Sequence, residues 1–599
     1  MRITSLLTAT GLLLTIPSTA VHTVTAVAQQ QVRIHDIQGA TRVSPLVGRP
    51  VAGVPGVVTG VRGSGPARGF WFQDAEPDAD PRTSEGLFVS TGNQIPAVAI
   101  GDAVAVGGRV AEYYPIAEGE TPETTPNQSV TELVEATWQV TGKGGVPIEA
   151  VGPETVPSEL APQDGAIDKR ELEPQRFALD YYESREGMLL RVDNARVVGP
   201  TDAFRALWIT SKPDENANGR GGTTYTGYAN AGRLKVESLS VAPFPAANVG
   251  DRLRGSTEGP LDYTRFGGYV LAATRLGEHV AGDLQPESTR PQCANELAIA
   301  TYNVENLAVG GDPAKFARLA EGVVDRLAAP DIVALEEVQD NTGPADDGVV
   351  AADRTLREFT DAIVAAGGPR YLWRQIDPEN NADGGQPGGN IRVAFLFNLA
   401  RVSFVDRPGG SATTPVHPVA DGERVALSAS PGRIDPANAA WRESRKPLVG
   451  EFLFHGKPVV VVADHFASKG GDQPLHGRFQ PPARTSEEQR EQQARAVRGF
   501  VDEVLAIDGR ARVVVLGDLN DFGFSSALAP LTAGGALVPL AEELPPVERY
   551  SYVFEGNSQQ LDHILVSPAI TADYDIVHTN AEFADQASDH DPQIARLRR

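Results

Sequence analysis

The sequence predicts a multidomain protein, all-β in its N-terminal half and α/β in its C-terminal half. Three observations carry that prediction. At 599 residues the chain exceeds what one hydrophobic core organises. Up to residue 284, short apolar runs are parted by Gly, Pro and Asp clusters, with no amphipathic helical pattern between them. From residue 295 onward, strand-like runs alternate with helical ones. A hydrophobic fraction of 41% and a charged fraction of 22% are ordinary for globular protein, so most of the chain is expected to fold.

Residues 1–28 read as a signal peptide. Arg2 supplies a short positive region, Ile3 to Ile16 is apolar, and Ala26-Val27-Ala28 has the small-x-small form of a signal-peptidase site. The apolar run is short for a bilayer, and no second run of membrane length follows, so the mature protein is expected to be exported, without stable membrane insertion.

Residues 29–151 form the first expected β domain, with strands at Gly56–Val61, Gly69–Gln73, Gly86–Val89 and Ala103–Val110. Such close spacing suits a small barrel or sandwich. Residues 152–284 form a second, with strands at Gly187–Val198, Ala206–Thr210 and Gly267–Ala273. A Pro-rich linker spans 285–294 and contains Cys293, the only cysteine, which excludes an intrachain disulfide and cysteine-based zinc sites.

The α/β domain is expected over 295–599. Its strands are Leu297–Asn303, Asp331–Leu335, Val459–Asp464 and Arg512–Gly517. One helix starts at Asp312-Pro313, an N-cap acid before proline, and ends before Pro330. Another starts at Ser486, with Gln489 placed for a capping box and Ala494, Val497, Val501 and Val504 on one face.

The net charge of -25 excludes a protein that holds nucleic acid chiefly through a basic footprint. An acidic protein must grip phosphate locally, through a few Arg and Lys or through bridging metal ions; most of the acidity serves solubility. Polar residues at the ends of apolar strands suggest where. Separate strands deliver Asn303 and Glu305, Glu336 and Glu337, Asp464 and His465, and Asp518, Asn520 and Asp521. Asp562-His563 and Asp589-His590-Asp591 follow near the C-terminus. A lone acid after a strand is usually a turn former; several in one domain argue for a site. Carboxylates and amides are hard ligands suited to Mg²⁺, Mn²⁺ or Ca²⁺, and adjacent histidines donate to phosphoryl oxygens or move protons. Together they describe in-line attack of water on a phosphodiester.

The segments Ala300–Asn306, Asp331–Val338, Gly517–Asp521 and Ser588–Pro592 resemble the endonuclease/exonuclease/phosphatase superfamily. Asp464–Gly471 and Phe554–Gln559 are similar to its bacterial extracellular nuclease branch. The resemblance implies a four-layer sandwich, two packed mixed sheets flanked by helices, and a role for each matching residue. Glu337, Asn303 and Asp589 would form the metal site, with Asn303 also shaping the phosphate site. Asp518 would orient or deprotonate the attacking water, with Asn520 hydrogen-bonding nearby. His465 and His590 would contact the scissile phosphate, and Asp562 would hold His590; which of Asp518 and His590 moves the proton stays open.

Some positions depart from the pattern. Glu336 stands where relatives carry Gln or Met and is read as structural, on the opposite face of its strand from Glu337. Asp464 replaces a common Asn, and its charge is expected to raise the pKa of His465. His563 is read as a packed histidine. Candidate phosphate contacts are Arg392, Arg445, Lys446 and Lys469, and the Gly384–Gly389 stretch is either a plain flexible loop or a substrate cover. In the N-terminal half, Ile34–Gly39, Val57–Gly60 and Gly69–Asp74 resemble OB-fold segments, and Tyr181–Leu189 suggests a second such module. Phe70, Trp71 and Phe72 are either a stacking surface or partly core.

The expected function is therefore a secreted, Mg²⁺-dependent nuclease acting on nucleic acid, DNA favoured and RNA possible, with no protein partner evident. Two alternatives stand beside it: the same chemistry on nucleotides or phospholipids, and a non-catalytic surface or adhesion protein retaining the fold. Tandem β modules favour a polymer, because a small substrate gains little from a tethered binding surface.

Overall fold

The computed structural model describes Met1 and residues 31–598 other than Pro66, Tyr228 and Ser240. The signal-peptide segment falls outside the described residues. Among the described residues, no helix is long and apolar enough to cross a membrane.

The first unit is a closed barrel of five strands, Pro50–Arg62, Arg68–Gln73, Gly86–Gly92, Asp102–Tyr113 and Val130–Lys143. Alternation turns Val54, Val58, Phe70, Phe72, Leu87 and Val89 into its interior. The first strand pairs with the second and fourth, and the third pairs with the fifth in parallel. The strand Val130–Lys143 escaped the sequence because its second half is exposed and carries no apolar run.

A second ring is built from Leu189–Gly199, Ala206–Thr210, Arg233–Ser238, Arg252–Thr264 and Gly268–Ala273. It repeats the same strand order: first with second and fourth, third with fifth in parallel. Two short helices, Ile34–Gln38 and Ala178–Glu183, sit in these regions and are too brief to show a period in sequence. Phe70, Trp71 and Phe72 are all buried, which removes the stacking-surface alternative. Phe70 and Phe72 fill the barrel, while Trp71 packs with Phe88 against Ala272 of the second ring. Arg62 seals that seam by pairing with Asp262 at 2.6 Å.

Residues from Leu297 onward form two packed mixed sheets, of six and seven strands. Leu297, Ile299, Ala334, Val461, Ala463, Val514 and Leu516 meet in the core between them. The opposite face of the first sheet packs on Phe316, Leu319 and Phe359, from helices Pro313–Glu321 and Asp353–Ala365. That of the second packs on Ala494, Val497 and Val501, from Glu487–Ile507. Asp312 caps its helix as expected, accepting from Ala314 N at 2.9 Å. The capping box at Ser486 does not form. Ser486 is already in the helical region, its hydroxyl donates to Asp472 Oδ1 at 2.7 Å, and Gln489 bonds the carbonyls of Ala440 and Arg442.

Each sheet contains one parallel pair near its centre. Leu297–Leu307 runs beside Ile332–Val338 in the first, and Lys457–His465 beside Val513–Asp518 in the second. Asn303, Glu336, Glu337, Asp464, His465 and Asp518 lie at the C-terminal ends of these pairs, and the antiparallel strand that begins at Asp562 brings that residue opposite Asp518, so the sandwich itself gathers them at one edge. The barrels are joined firmly to this edge. Phe479–Gln480 adds a strand to Gly165–Ala166, and Tyr225 N donates to Ser558 O at 2.9 Å.

Candidate active site

Register aligns the acids and imidazoles. His465 lies opposite Asp518, and Asp518 opposite Asp562, across three neighbouring strands. Period-2 alternation makes His465 the continuation of Val461 and Ala463, and Asp518 that of Val514 and Leu516, so both leave the inter-sheet core at its open end. Gly517, at φ +140°, permits this closeness: a Cβ there would stand 1.9 Å from Asp464 O.

From the other sheet, Asn303 Nδ2 donates to Glu337 Oε1 and to Asp518 Oδ2, both at 3.2 Å. Its oxygen accepts from Glu305 N at 2.9 Å. This orientation differs from that expected of a metal ligand: the oxygen is turned to the backbone, and the nitrogen bridges two carboxylates. Glu337, with φ +64°, breaks the strand alternation and accepts from Asn306 N at 2.9 Å through its second oxygen. Asn520, also left-handed at φ +52°, donates its backbone N–H to Asp518 Oδ1 at 2.9 Å and its side chain to Phe466 O at 3.1 Å. Backbone held in this region by non-glycine residues is costly and clusters at functional sites.

His590 Nδ1 contacts Asp562 Oδ2 at 2.7 Å, and the same oxygen accepts from Ser551 Oγ at 2.6 Å. The opposite ring nitrogen, Nε2, stands 3.8 Å from Asp518 Oδ2, while His465 Nε2 is 3.5 Å from that oxygen and 3.9 Å from Glu337 Oε1. Atoms of Asp518, Asp562 and His590 all lie within 4.8 Å of one another. Asp562 is already engaged by Ser551 and His590 through hydrogen bonds of 2.6 and 2.7 Å, while Glu337, Asp518 and Asp589 line the cleft together.

Electrostatics separates the two histidines. Burial opposes charge on His590, but Asp562 and Asp518 outweigh it and hold the ring well above the usual imidazole range. Burial, with Arg445 and His590 adding to it, holds His465 well below that range. Burial first, then Asp562 and Glu337, pushes Asp518 up to about 7; burial, Glu305 and Glu337 push Asp589 up to about 6. The edge thus concentrates carboxylates that repel one another out of water, a hard-oxygen donor set whose excess negative charge a divalent cation would relieve.

Asp464 corrects another expectation. It continues the Val460–Val462 face, away from His465, and both its oxygens are buried without partners. Burial pushes it well above the carboxylate range, and the shift of His465 comes from burial, Arg445 and His590 rather than from Asp464. Glu336 is buried too and accepts from Thr301 Oγ1 at 2.8 Å, and His563 contacts Asp521 O at 2.8 Å; both are structural.

The candidate phosphate contacts divide. Arg445 and Lys469 line the cleft above the site. Arg445 is buried, donates to Phe466 O at 2.6 Å and leaves Nε without a partner; Lys469 pairs with Asp521 at 3.0 Å. Arg392 is not in the cleft: it is 1% exposed and held by Asp377 and the Asn390 carbonyl, and burial pulls it down to about 10. Lys446 is spent on Asp383 at 2.6 Å. Gly385, Gln386 and Pro387 of the Gly-rich stretch form part of the rim.

Sequence reasoning missed Ser551, which steadies Asp562, and Tyr552, whose ring lies 4.7 Å from that of His590. Tyr552 opens a strand of only three residues, Tyr552–Phe554, and Ser551 precedes it, which gives no pattern to find. Missed too were Tyr225, Arg265 and Phe266, which the second barrel contributes to the same cleft.

In comparison with known proteins, residues 300–590 match the endonuclease/exonuclease/phosphatase family, and residues 150–281 match a domain of unknown function, DUF8508. No curated protein matches the sequence. Among solved structures, a humanized D. rerio TDP2 is similar at 17% identity and TM-score 0.33, covering 51% of this chain and 100% of that one. The D. rerio TDP2 complexed with single strand DNA product is similar at 16% identity and TM-score 0.33, covering 51% and 99%. A Bacteroides thetaiotaomicron mannosyl-6-phosphatase is similar at 16% identity and TM-score 0.32, covering 50% and 99%.

Proposed function

The C-terminal domain, residues 300–590, belongs to the endonuclease/exonuclease/phosphatase family, and from that premise we propose that the protein is a divalent-metal-dependent phosphodiesterase that hydrolyses nucleic acid. The observation that carries the proposal is the placement of His590, bonded to Asp562 at 2.7 Å and turned toward Asp518 at 3.8 Å. A carboxylate behind an imidazole fixes its tautomer and favours its charged form, and a second carboxylate in front marks where water and phosphate meet.

In this reading the water oxygen attacks phosphorus, the bond to the leaving oxygen breaks, and a phosphate monoester and an alcohol result. Asp518, steadied by the Asn520 amide and by Asn303, orients the water and accepts its proton. His590 and His465 donate to the non-bridging oxygens, and Arg445 adds a fixed positive charge beside them. Glu337 and Asp589 are the residues to hold Mg²⁺, with Mn²⁺ or Ca²⁺ as substitutes. When bound, the cation neutralises phosphoryl charge and eases ionisation of water.

Cleft shape supports a polymeric substrate. A cavity of about 960 Å³ spans catalytic domain and barrels. A second, of about 620 Å³, shares Gly385, Arg445, Ser468 and Gly470 with it, so the trough continues past these residues. The common strand order of the two barrels supports their reading as OB-type modules. Export rests on the N-terminal segment alone, and N-terminal sequencing of protein recovered from culture medium tests it. DNA is the favoured polymer. Digestion of supercoiled plasmid with Mg²⁺ or EDTA, beside nucleotide and phospholipid hydrolysis, tests the function. Cutting that EDTA stops, and that His465→Ala and Asp518→Ala each weaken at least about 10²-fold, is expected. Turnover of the small esters alone would instead make the protein a phosphatase or lipid esterase.

A further inference from the structure

The catalytic cleft carries an aromatic wall that the hydrolytic chemistry does not use. On the catalytic side, Phe522 stacks on Phe524 with centroids 5.1 Å apart and planes 14° from parallel. Tyr225, from the second barrel, packs on both at 4.9 and 5.8 Å. Phe554 lies nearly parallel to Tyr552, at 12° and 6.2 Å, and Tyr552 in turn abuts His590. The turn between Arg252–Thr264 and Gly268–Ala273 adds Phe266, with the Arg265 guanidinium 4.6 Å from its ring.

Burial distinguishes these rings. Tyr225 and Phe522 are core, Phe524 is 51% exposed but does not line the cleft, and Phe266, 63% exposed, and Phe554, 49%, are the open rings that do. The backbone beneath these two exposed rings is held tightly. Gly267, at φ +101°, brings the turn so close to the neighbouring hairpin that a Cβ would stand 2.4 Å from Trp208 and 3.6 Å from Glu555 Oε1. Arg233, fully buried in the second barrel, donates to the Glu555 carbonyl. Two open rings on two domains are thus fixed in one cleft, with cationic groups close by: Lys469 stands 4.1 Å over Phe522, and Arg484 bonds the Tyr225 hydroxyl at 2.8 Å.

Resting on the nuclease reading, we propose that Phe266 and Phe554 form a base-stacking subsite, shared between the second barrel and the catalytic domain, for nucleotides flanking the scissile phosphate of an unpaired nucleic-acid strand. Aromatic faces bind bases whatever their identity, and guanidinium and ammonium groups beside them track the backbone. Paired bases keep their faces inside the helix, so the subsite selects single strands or frayed ends. The second barrel is then part of the substrate site rather than a tether.

The test compares wild type, Phe266→Ala and Phe266→Leu on a single-stranded oligonucleotide and on bis(p-nitrophenyl) phosphate, which carries no bases. The ratio of kcat/KM for oligonucleotide over small diester should fall about tenfold in Phe266→Ala. Phe266→Leu, of similar bulk without an aromatic face, should fall nearly as far. In an Asp518→Ala background with EDTA, fluorescence anisotropy should show the same loss of affinity for labelled single strand. An unchanged ratio with unchanged binding overturns the subsite, as does full rescue by leucine, which would make the ring a packing element. Hydrolysis of the small diester by wild type without cutting of any nucleic acid sinks the nuclease reading itself, and the subsite with it.

Discussion

Asp562 and His590 stand 28 residues apart in sequence, yet Asp562 Oδ2 lies 2.7 Å from His590 Nδ1, which leaves Nε2 facing Asp518. Ser551 fixes the carboxylate from behind, so the ring has one orientation and one proton arrangement. Asp562→Asn keeps the shape and loses the charge. It should lower kcat about 10²–10⁴-fold with KM little changed, measured on a small diester under saturating Mg²⁺. A parallel rise in KM without loss of kcat would mean that the pair binds substrate and does no more.

Asn303 reaches Glu337 and Asp518 with one nitrogen, and in the proposed reading it acts on the cation through Glu337. Asn303→Ala should raise the Mg²⁺ concentration for half-maximal activity about 10–100-fold while excess Mg²⁺ restores much of the rate. EDTA should abolish activity in wild type. A variant whose rate stays low at every Mg²⁺ concentration would show that Asn303 touches the reacting phosphate instead.

Arg445 and Arg392 look alike in sequence and differ in place. Arg445 lines the cleft, whereas Arg392 is buried against Asp377. Arg445→Ala should cost about 10²-fold in kcat/KM with a normal thermal midpoint. Arg392→Ala should cost about 2–3 kcal/mol of stability, read by denaturant unfolding, with kcat/KM of the folded fraction retained.

Those two arginines mark the boundary of what the sequence discloses. His465, Asp518 and Asp562 were legible because each ends or begins an apolar strand, and a sheet edge collects such residues, whereas His590, between Asp589 and Asp591 ahead of the strand Gln593–Leu597, was marked out by the resemblance. Strand alternation did not separate Glu336 from Glu337: Glu336 continues the face of Ile332 and Ala334, and Glu337, at φ +64°, reaches the site by breaking the pattern. Arg392 also begins a strand, but its burial depends on Asp377, which no local pattern links to it. Asp464 was misjudged for a related reason: alternation alone turns it from His465, while its raised pKa follows from burial under the helix packed over that face. Tyr225, Phe266 and Phe554 come from separate stretches of two domains, and only the docked barrels make them neighbours.

Asp464 makes its own prediction. An acid whose folded pKa is raised binds its proton more tightly in the native than in the unfolded chain. Its contribution is therefore fullest at acid pH, and stability is lost as pH rises above the unfolded value of about 4. Asp464→Asn removes that loss. Its thermal midpoint should exceed wild type by about 2 °C or more at pH 8, with the gap closing toward pH 4. A gap that widened on acidification would show that the native carboxylate is charged.

Hydrolysis of a defined single-stranded oligonucleotide in water enriched in oxygen-18, with Mg²⁺ present, tests the central claim most directly. One heavy oxygen should enter the product phosphate at each cut, and Asp518→Ala should leave product and label absent. Heavy oxygen in the alcohol product, or cutting that survives loss of Asp518, would contradict attack of water on phosphorus at this edge of the sandwich.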